Sequence, residues 1–317
     1  MRKLTLLAAL LVTGISCISG LSQSAIRVMP LGDSITYGSG APGGYRYPLY
    51  TALTNAGYNI DYVGTQTGNS VAGLGAEINH EGHGGWRASH ATIGLYEHLY
   101  GWFDQIDDPH VVLIHVGTND SNDPDFEHCI DEVDALVTRV AQCQPDAEIV
   151  VTTLMKRGAE DLSDSRYIAI TNDFNPYVYP LVTNHQAQGH NVHYLDMHAY
   201  VELADMDDNL HPNATGYQKM ADAWFPVVTN IIATNPAPNR PAAMYAEAND
   251  NHVNVTVHFN KAVSQASAEN TANYSIDNGI AVTNASLSAN GRLVTLTTTV
   301  QTPGMTHTIT MNDIEDG

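Results

Sequence analysis

Residues 26–36 read IRVMPLGDSIT, and the fold prediction starts from them. Ile26–Leu31 is an almost continuous apolar run, which is typical of a strand buried on both faces of a parallel sheet. The run leads directly into Gly32-Asp33-Ser34, so a serine follows the carboxyl end of the strand. In a doubly wound α/β sheet, sites are built at that edge. Ser34 is therefore a candidate nucleophile, although a serine at this place also caps the helix that follows.

Four more runs of this kind follow, and helical patterns lie between and after them. Apolar residues recur at helical spacing from Ile130 to Val140 and again from Tyr217, where Pro226 predicts a kink or a break. Five strands with intervening helices predict an α/β domain of three layers with the flavodoxin-like strand order 2-1-3-4-5. The other predicted strands are Ile60–Val63, Val111–Val116, Ile149–Leu154 and Val192–Leu195.

The composition changes after this α/β domain, which we assign to residues 25–232. Residues 233–241 are rich in proline and predict a linker. Residues 242–317 contain runs rich in valine and threonine, separated by turn signals, and predict a small β-sandwich. Because the chain stops about where one more strand is expected, we expect an incomplete sandwich or a fragment of a longer chain. The predicted strands are Val253–Phe259, Ile280–Leu287, Leu293–Thr299 and His307–Met311.

Charge excludes two classes of partner. The 317 residues include 13 Lys and Arg against 34 Asp and Glu, which gives a formal net charge of −21. Phosphate backbones and anionic lipids repel such a protein, so we expect neither nucleic acid nor a membrane surface as partner. Hydrophobic residues make up 43% of the chain, which is enough for a sizeable core.

The first residues predict an export signal. Arg2 and Lys3 precede the apolar run Leu4–Val12, which is too short to span a bilayer, so residues 1–24 are interpreted as a signal peptide. Cys17 leaves lipid attachment open as an alternative. We expect no membrane insertion and a location that is secreted, periplasmic or at the cell surface.

Cysteine and histidine patterns do not predict a metal site. Cys129 and Cys143 lie on one predicted helix about 21 Å apart, beyond the reach of a disulfide, and are interpreted as buried apolar residues. His80 and His83 lie in a glycine-rich segment without an evident third ligand, so loop-shaping hydrogen bonds are the preferred interpretation. We expect neither a metal nor a cofactor.

Two further segments carry side chains suited to acyl transfer. The third predicted strand ends in Gly117-Thr118-Asn119-Asp120, where the Asn119 amide can reach a carbonyl oxygen or form an ordinary Asx turn. Asp208 precedes His211 by three residues, so its carboxylate can turn back and fix which imidazole nitrogen carries the proton. The alternative partners for this imidazole are Asp120, Asp205 and Asp207.

Taken together, these segments resemble the GDSL, or SGNH, hydrolase family, whose invariant quartet is Ser, Gly, Asn and His. They are GDSI at 32–35, HEGHGGW at 80–86, GTND at 117–120 and DNLHPNATGY at 208–217. More narrowly, HEGHGGW, GGYR at 43–46, DYVGTQ at 61–66 and HPNATGY look like carbohydrate esterase family 3, whose best-known members are acetyl xylan esterases. The resemblance covers about residues 26–230, and no G-x-S-x-G elbow occurs.

The resemblance implies a role for each matching residue. Ser34 corresponds to the nucleophile, His211 to the general base and Asp208 to the residue that orients this base. The backbone N–H groups of Ser34 and Gly85 and the Asn119 amide correspond to the donors of the oxyanion hole. The implied enzyme is an exported serine esterase that removes O-acetyl groups from polysaccharide. The alternatives are a lipase- or thioesterase-like hydrolase of longer acyl esters and a non-catalytic polysaccharide-binding surface protein.

Substrate contacts are assigned to residues near these segments. The candidates are Trp86, Tyr37 and Arg46. The aromatic faces of Trp86 and Tyr37 suit stacking on sugar rings, and the guanidinium of Arg46 can hold either a substrate oxygen or a structural carboxylate. Gly85 is preferred to Gly84 as donor because it directly precedes Trp86. In the C-terminal region, the segments Val253–Val263, Asn273–Ile276 and Val294–Thr298 resemble bacterial Ig-like domains. This resemblance implies a spacer, or attachment to a cell surface or to polysaccharide.

Overall fold

The computed structural model describes residues 25–123, 125–157, 164–234, 241–249, 252–302, 305–315 and 317. The predicted signal peptide and residues 235–240 of the predicted linker lie outside the described residues. The described part forms a parallel sheet between helices, followed by smaller antiparallel sheets.

The central sheet has the predicted strand order. Its five main strands are parallel and lie in the order second, first, third, fourth and fifth along the chain, and a two-residue strand pairs with the end of the first. Alternate residues of the central strand enter different cores, Val112 and Ile114 on one face and Val111 and Leu113 on the other. The strands are β1 Ile26–Gly32, β2 Ile60–Tyr62, β3 Glu81–Gly82, β4 Val111–His115, β5 Glu148–Thr152 and β6 Val192–Leu195.

Helices cover both faces of this sheet, which makes the three predicted layers. One core contains buried residues of α2 (Arg46–Asn55) and α7 (Ala214–Thr234). The other contains buried residues of α3 (Leu95–Phe103), α4 (Cys129–Cys143) and α6 (Asn175–Ala187). None of the helices in the described ranges combines the length and the apolar character that crossing a bilayer requires. The helices are α1 Ser34–Tyr37, α2 Arg46–Asn55, α3 Leu95–Phe103, α4 Cys129–Cys143, α5 Ser165–Ala169, α6 Asn175–Ala187 and α7 Ala214–Thr234.

The predictions for the two cysteines and for Pro226 have different outcomes. The cysteines at the two ends of α4 are buried and unpaired, as predicted. Of the kink or break predicted at Pro226, the break is wrong, because α7 continues through this residue. Pro226 and Asp222, whose carbonyl loses its helical donor, are on the exposed side, so water can satisfy that carbonyl.

The C-terminal region forms two antiparallel sheets, consistent with the predicted small β-sandwich. Four strands form one sheet in the order β10 (Val282–Leu287), β11 (Leu293–Thr298), β8 (Asn254–Phe259) and β7 (Ala243–Ala248). A second sheet pairs β12 (Ile309–Met311) with β9 (Tyr274–Ile276). Three elements were not predicted, since their sequences lack the valine and threonine pattern. They are the first strand, the short strand Tyr274–Ile276 and a four-residue helix, α8 Gln265–Ala268. The Ig-like assignment stays a prediction. The strands are β7 Ala243–Ala248, β8 Asn254–Phe259, β9 Tyr274–Ile276, β10 Val282–Leu287, β11 Leu293–Thr298 and β12 Ile309–Met311.

The C-terminal sheets pack against the edge of the central sheet opposite Ser34. Arg292 donates hydrogen bonds to the carbonyl oxygens of Phe103 at 3.1 Å and Ile106 at 2.7 Å. Asn260 donates to the Gln144 side chain at 3.1 Å. These acceptors precede the amino ends of β4 and β5, whereas Ser34 follows the carboxyl end of β1.

One buried histidine makes the folded state sensitive to acid. His115, the last residue of β4, is fully buried, and neither ring nitrogen has a hydrogen-bond partner among the described residues. Burial lowers the pKa of His115 to about 4. In the unfolded chain the ring takes up a proton near pH 6.5, whereas in the folded protein it does so only near pH 4. As the pH falls below 6.5, protonation of this ring therefore favours the unfolded chain and lowers the free energy of unfolding.

We therefore expect His115→Leu to reduce the loss of stability in acid. At pH 5 the protonation penalty of the wild-type residue is about 2 kcal/mol, which the apolar side chain removes. Thermal unfolding at pH 7.5 and pH 5 should show a smaller drop in Tm for the variant than for the wild type. The exposed His90→Leu is the matched control and should behave like the wild type. An equal pH dependence of Tm in His115→Leu and the wild type would contradict the expectation.

Candidate active site

Ser34 stands at a sharp junction between β1 and α1. Gly32 fits this junction because a Cβ there would lie 2.2 Å from the carbonyl oxygen of His115 in the neighbouring strand. Asp33 caps α1, and its carboxylate accepts the Ile35 N–H at 2.9 Å. The cap is therefore Asp33, and the Ser34 hydroxyl is not used for capping. As the first helical residue, Ser34 has a backbone N–H with no acceptor inside the helix.

The structure brings His211 and Asp208 to this serine. The Ser34 hydroxyl lies 2.9 Å from His211 Nε2, and His211 Nδ1 lies 2.9 Å from Asp208 Oδ2. The carboxylate only accepts, so Nδ1 carries the ring proton and Nε2 can accept the hydroxyl hydrogen. This is the geometry in which an imidazole removes a proton from a serine.

Asp208 is fixed by the turn on which it lies. Its other oxygen accepts the backbone N–H groups of Leu210 and His211, both at 2.6 Å. Although partial burial acts in the opposite direction, these bonds and the one from the His211 ring hold the pKa of Asp208 below its usual value. The carboxylate therefore stays ionised beside the imidazole over the neutral range.

Two of the alternative partners of His211 have other bonds. Asp205 accepts Lys219 Nζ at 2.6 Å and the Glu202 N–H at 2.8 Å. Asp120 accepts the Ala88 N–H at 3.2 Å. The third alternative, Asp207, has no contact with the His211 ring among the described hydrogen bonds and ion pairs.

Asp33 is a second carboxyl group near the imidazole, and the sequence analysis did not identify it. It is fully buried, and burial raises its pKa to about 6 against the opposing effects of the Ile35 N–H and the charge of His211. When Asp33 is ionised, its charge stabilises a protonated His211. The signal in the sequence was its place directly before Ser34.

The glycine-rich segment forms a tight turn beside β1. The His83 N–H donates to the Gly32 carbonyl at 2.9 Å, and the Trp86 N–H donates to the His83 carbonyl at 3.1 Å. Gly85 is the third residue of this turn and has φ +81°, the conformation that favours glycine in a type II turn. Gly84 and Gly85 are exposed, and neither N–H has an acceptor among the described hydrogen bonds.

Asn119 is attached to the same turn. Its amide donates to the Trp86 carbonyl at 2.7 Å. An amide NH₂ has two hydrogens, so one remains for another acceptor. Arg157 holds the backbone before it by donating to the Thr118 carbonyl at 2.6 Å. The structure therefore connects Asn119 to the turn that contains Gly85.

The substrate assignment of Arg46 is wrong. Its side chain is 0% exposed, and the guanidinium donates to backbone carbonyls, including those of Thr36 at 3.1 Å and Tyr37 at 3.1 Å. A group enclosed in this way cannot contact a polysaccharide. Arg46 instead fixes the loop that follows α1, and the sequence could not show that its charge would be buried among carbonyl groups.

Trp86 and Tyr37 are half-buried, and their substrate contacts stay predictions. The Trp86 ring lies 4.4 Å from the His83 ring, and the Tyr37 ring lies 5.9 Å from that of His80. His80 uses both ring nitrogens, since Nδ1 accepts the Gly82 N–H and Nε2 donates to a carbonyl oxygen. Burial lowers its pKa to about 3, so the ring is neutral.

Asp120, Cys129 and Glu132 form a cluster that the sequence analysis did not identify. Their potential ligand atoms lie within 4.8 Å of one another. Burial raises the pKa of Asp120 to about 7, and the nearby charge of Glu132 acts in the same direction. A protonated Asp120 therefore reduces the repulsion between the two carboxyl groups.

The chain is similar in sequence and fold to several known proteins. A multidomain esterase of Ruminococcus flavefaciens is 27% identical over 240 residues, which are 69% of this chain and 30% of that protein. This chain thus spans less than a third of the length of that relative. A family 3 carbohydrate esterase of Clostridium thermocellum is 25% identical with a TM-score of 0.52, over 66% of this chain and 98% of that one.

A family 3 carbohydrate esterase of Talaromyces cellulolyticus has the same fold, with a TM-score of 0.53 and 24% identity over 66% of this chain and 99% of that one. The predicted SGNH-type fold is therefore confirmed. The GDSL-like Lipase/Acylhydrolase family matches residues 31–219, more than half of the 317 residues. The chain therefore belongs to the GDSL-like lipase/acylhydrolase family, and the cleavage of carboxylic esters predicted from the sequence is the chemistry of this family.

Proposed function

We propose that this chain is an exported serine esterase that removes O-acetyl groups from polysaccharide through an acyl-enzyme on Ser34. The observation that carries this proposal is the pair of 2.9 Å contacts from Asp208 to His211 and from His211 to Ser34. Export rests on the basic and apolar sequence of residues 1–24.

In the first step Ser34 Oγ attacks the ester carbonyl carbon while His211 Nε2 takes the hydroxyl proton. The carbonyl oxygen becomes an oxyanion, which accepts hydrogen bonds from the Ser34 and Gly85 N–H groups and the free Asn119 amide hydrogen. His211 then gives its proton to the departing sugar oxygen, and the acyl group remains on Ser34.

In the second step water repeats the attack. His211 removes a proton from the water as its oxygen adds to the acyl carbon, and returns that proton to Ser34 Oγ as acetate leaves. Asp208 keeps the imidazole oriented and stabilises its charge in both steps. Asp33, buried behind the nucleophile, adds a second negative charge near the same ring.

The substrate class rests on two supports. The first is the similarity to proteins described as family 3 carbohydrate esterases. The second is the exposed Gly84-Gly85 turn with the half-buried Trp86, which is bonded through His83 to Gly32, two residues before Ser34. We propose that a sugar ring approaches there. Attachment to polysaccharide through the C-terminal sheets fits their packing on the opposite edge, which leaves the catalytic edge open.

Hydrolysis of longer acyl esters is the second candidate function, and the lipase/acylhydrolase family match favours it. A non-catalytic binding protein is the weaker alternative. It gives no reason for a serine hydroxyl held 2.9 Å from an imidazole that is in turn bound to a carboxylate.

Substitutions at Ser34 and Asn119 test the mechanism. We expect Ser34→Ala to abolish hydrolysis of 4-nitrophenyl acetate with Tm unchanged, because the nucleophile is removed. We expect Asn119→Ala to lower kcat by about 100- to 1000-fold with little change in KM, because its donor acts on the oxyanion. The exposed Asn184→Ala is the matched control. Wild-type kcat in Ser34→Ala would exclude the proposed nucleophile.

A series of substrates separates acetyl esters from longer ones. We expect kcat/KM to fall steeply from 4-nitrophenyl acetate to the butyrate and the octanoate, because the proposed acyl group is acetyl. Acetate release from acetylated xylan, mannan, chitin and pectin then identifies the polymer. A maximum of kcat/KM at octanoate, without acetate release from any polymer, would favour the lipase-like function.

A further inference from the structure

We propose that Glu81 and His83 are positioning residues that hold the oxyanion donors in place without touching the substrate. The inference rests on the proposed esterase function and deepens it, since it concerns the same site. It starts from a buried imidazole–carboxylate pair that the mechanism above does not use.

The pair is enclosed and both partners are fixed. His83 Nε2 donates to Glu81 Oε2 at 2.6 Å, and the two residues are 9% and 0% exposed. The other oxygen of Glu81 accepts the Thr65 N–H. Glu81 belongs to β3, which pairs with β1 at Leu31 and Gly32, so the carboxylate is anchored to the central sheet.

Two indole rings pack against the imidazole and against each other. The His83 ring lies 4.4 Å from Trp86 at 29° and 4.5 Å from Trp102 at 10°. Trp102 belongs to α3 and is almost completely buried. The imidazole is therefore held by its contacts with both indoles and by its hydrogen bond to Glu81.

The His83 backbone connects this ring to all three proposed donors. Its N–H binds the Gly32 carbonyl, two residues before Ser34, and its carbonyl accepts the Trp86 N–H across the turn that contains Gly85. The Trp86 carbonyl accepts the Asn119 amide at 2.7 Å. A shift of His83 would therefore displace the Gly85 and Asn119 donors relative to Ser34.

The chemistry favours such a support. Oxyanion donors stabilise a transition state only if they are already in place, and small displacements of reacting groups cost large factors in rate. The turn itself is exposed and glycine-rich, so it cannot be rigid through its own side chains. The buried Glu81–His83 pair, which is bonded to this turn, supplies the rigidity that Gly84 and Gly85 do not.

We expect His83→Phe, which keeps a ring in contact with the indoles but loses the bond to Glu81, to lower kcat for 4-nitrophenyl acetate by about 10- to 100-fold. KM should change little, because the ground-state ester does not need the oxyanion donors. The affinity for methylboronic acid should fall in parallel with kcat, because its tetrahedral adduct with Ser34 places an oxygen among the same donors.

A matched control separates this role from general stability. His185 is 1% exposed, lies on α6 and bonds to Asp134 at 3.2 Å. We expect His185→Phe to lower Tm but leave kcat and boronate affinity at wild-type values. Glu81→Gln should lower kcat in the same direction as His83→Phe, and it provides a second test if His83→Phe does not fold.

The double variant Glu81→Gln/His83→Phe should lose no more activity than His83→Phe, since both substitutions act on the same hydrogen bond. Wild-type kcat in folded His83→Phe, or equal effects of His83→Phe and His185→Phe on kcat, would overturn the inference. If the wild-type chain itself cleaves no ester, the proposed function fails instead, and the two failures are distinguishable.

Discussion

The hydrogen bond between Ser34 and His211 joins residues 177 positions apart in the chain. It forms because β1 delivers Ser34 to the carboxyl edge of the sheet, and the turn before α7 delivers His211 to the same edge. Neither segment carries catalytic chemistry alone. The parallel sheet is therefore the constraint on which the site depends, since every proposed catalytic group follows a strand or precedes a helix at this edge.

Packing at this edge explains several residue choices that chemistry alone does not. Gly32 is required where β1 passes the His115 carbonyl, and Asp33 caps α1 so that the Ser34 hydroxyl is left for the imidazole. Burial near the site disfavours the ionised form of carboxyl groups and so raises the pKa values of Asp33 and Asp120. Such unfavourable burial is common where a site must place charge near reacting atoms.

The strands could be predicted because buried parallel strands leave strong apolar runs in the sequence, and their order is one that doubly wound domains commonly adopt. The convergence of Ser34, Asn119 and His211 followed from that order and from the family resemblance. Arg46 was misjudged because its burial depends on carbonyl groups far away in the chain, such as those of Gly68 and Asn69. Glu81 was not identified for the same reason, since its role requires the pairing of β3 with β1. Strand β7 was missed because its sequence, AMYAEA, lacks the pattern of its neighbours.

The C-terminal sheets and the candidate active site lie at opposite ends of the strands of the central sheet. Arg292 and Asn260 connect the C-terminal sheets to the ends of α3 and α4, at the amino edge of the strands. The loops that hold Ser34, Gly85 and His211 lie at the other edge and receive none of these hydrogen bonds among the described residues. The α/β core therefore lies between the C-terminal sheets and the edge that holds Ser34. The geometry of the site is set within this core by the central sheet, and we propose that the buried Glu81–His83 pair supports the turn that contains Gly85.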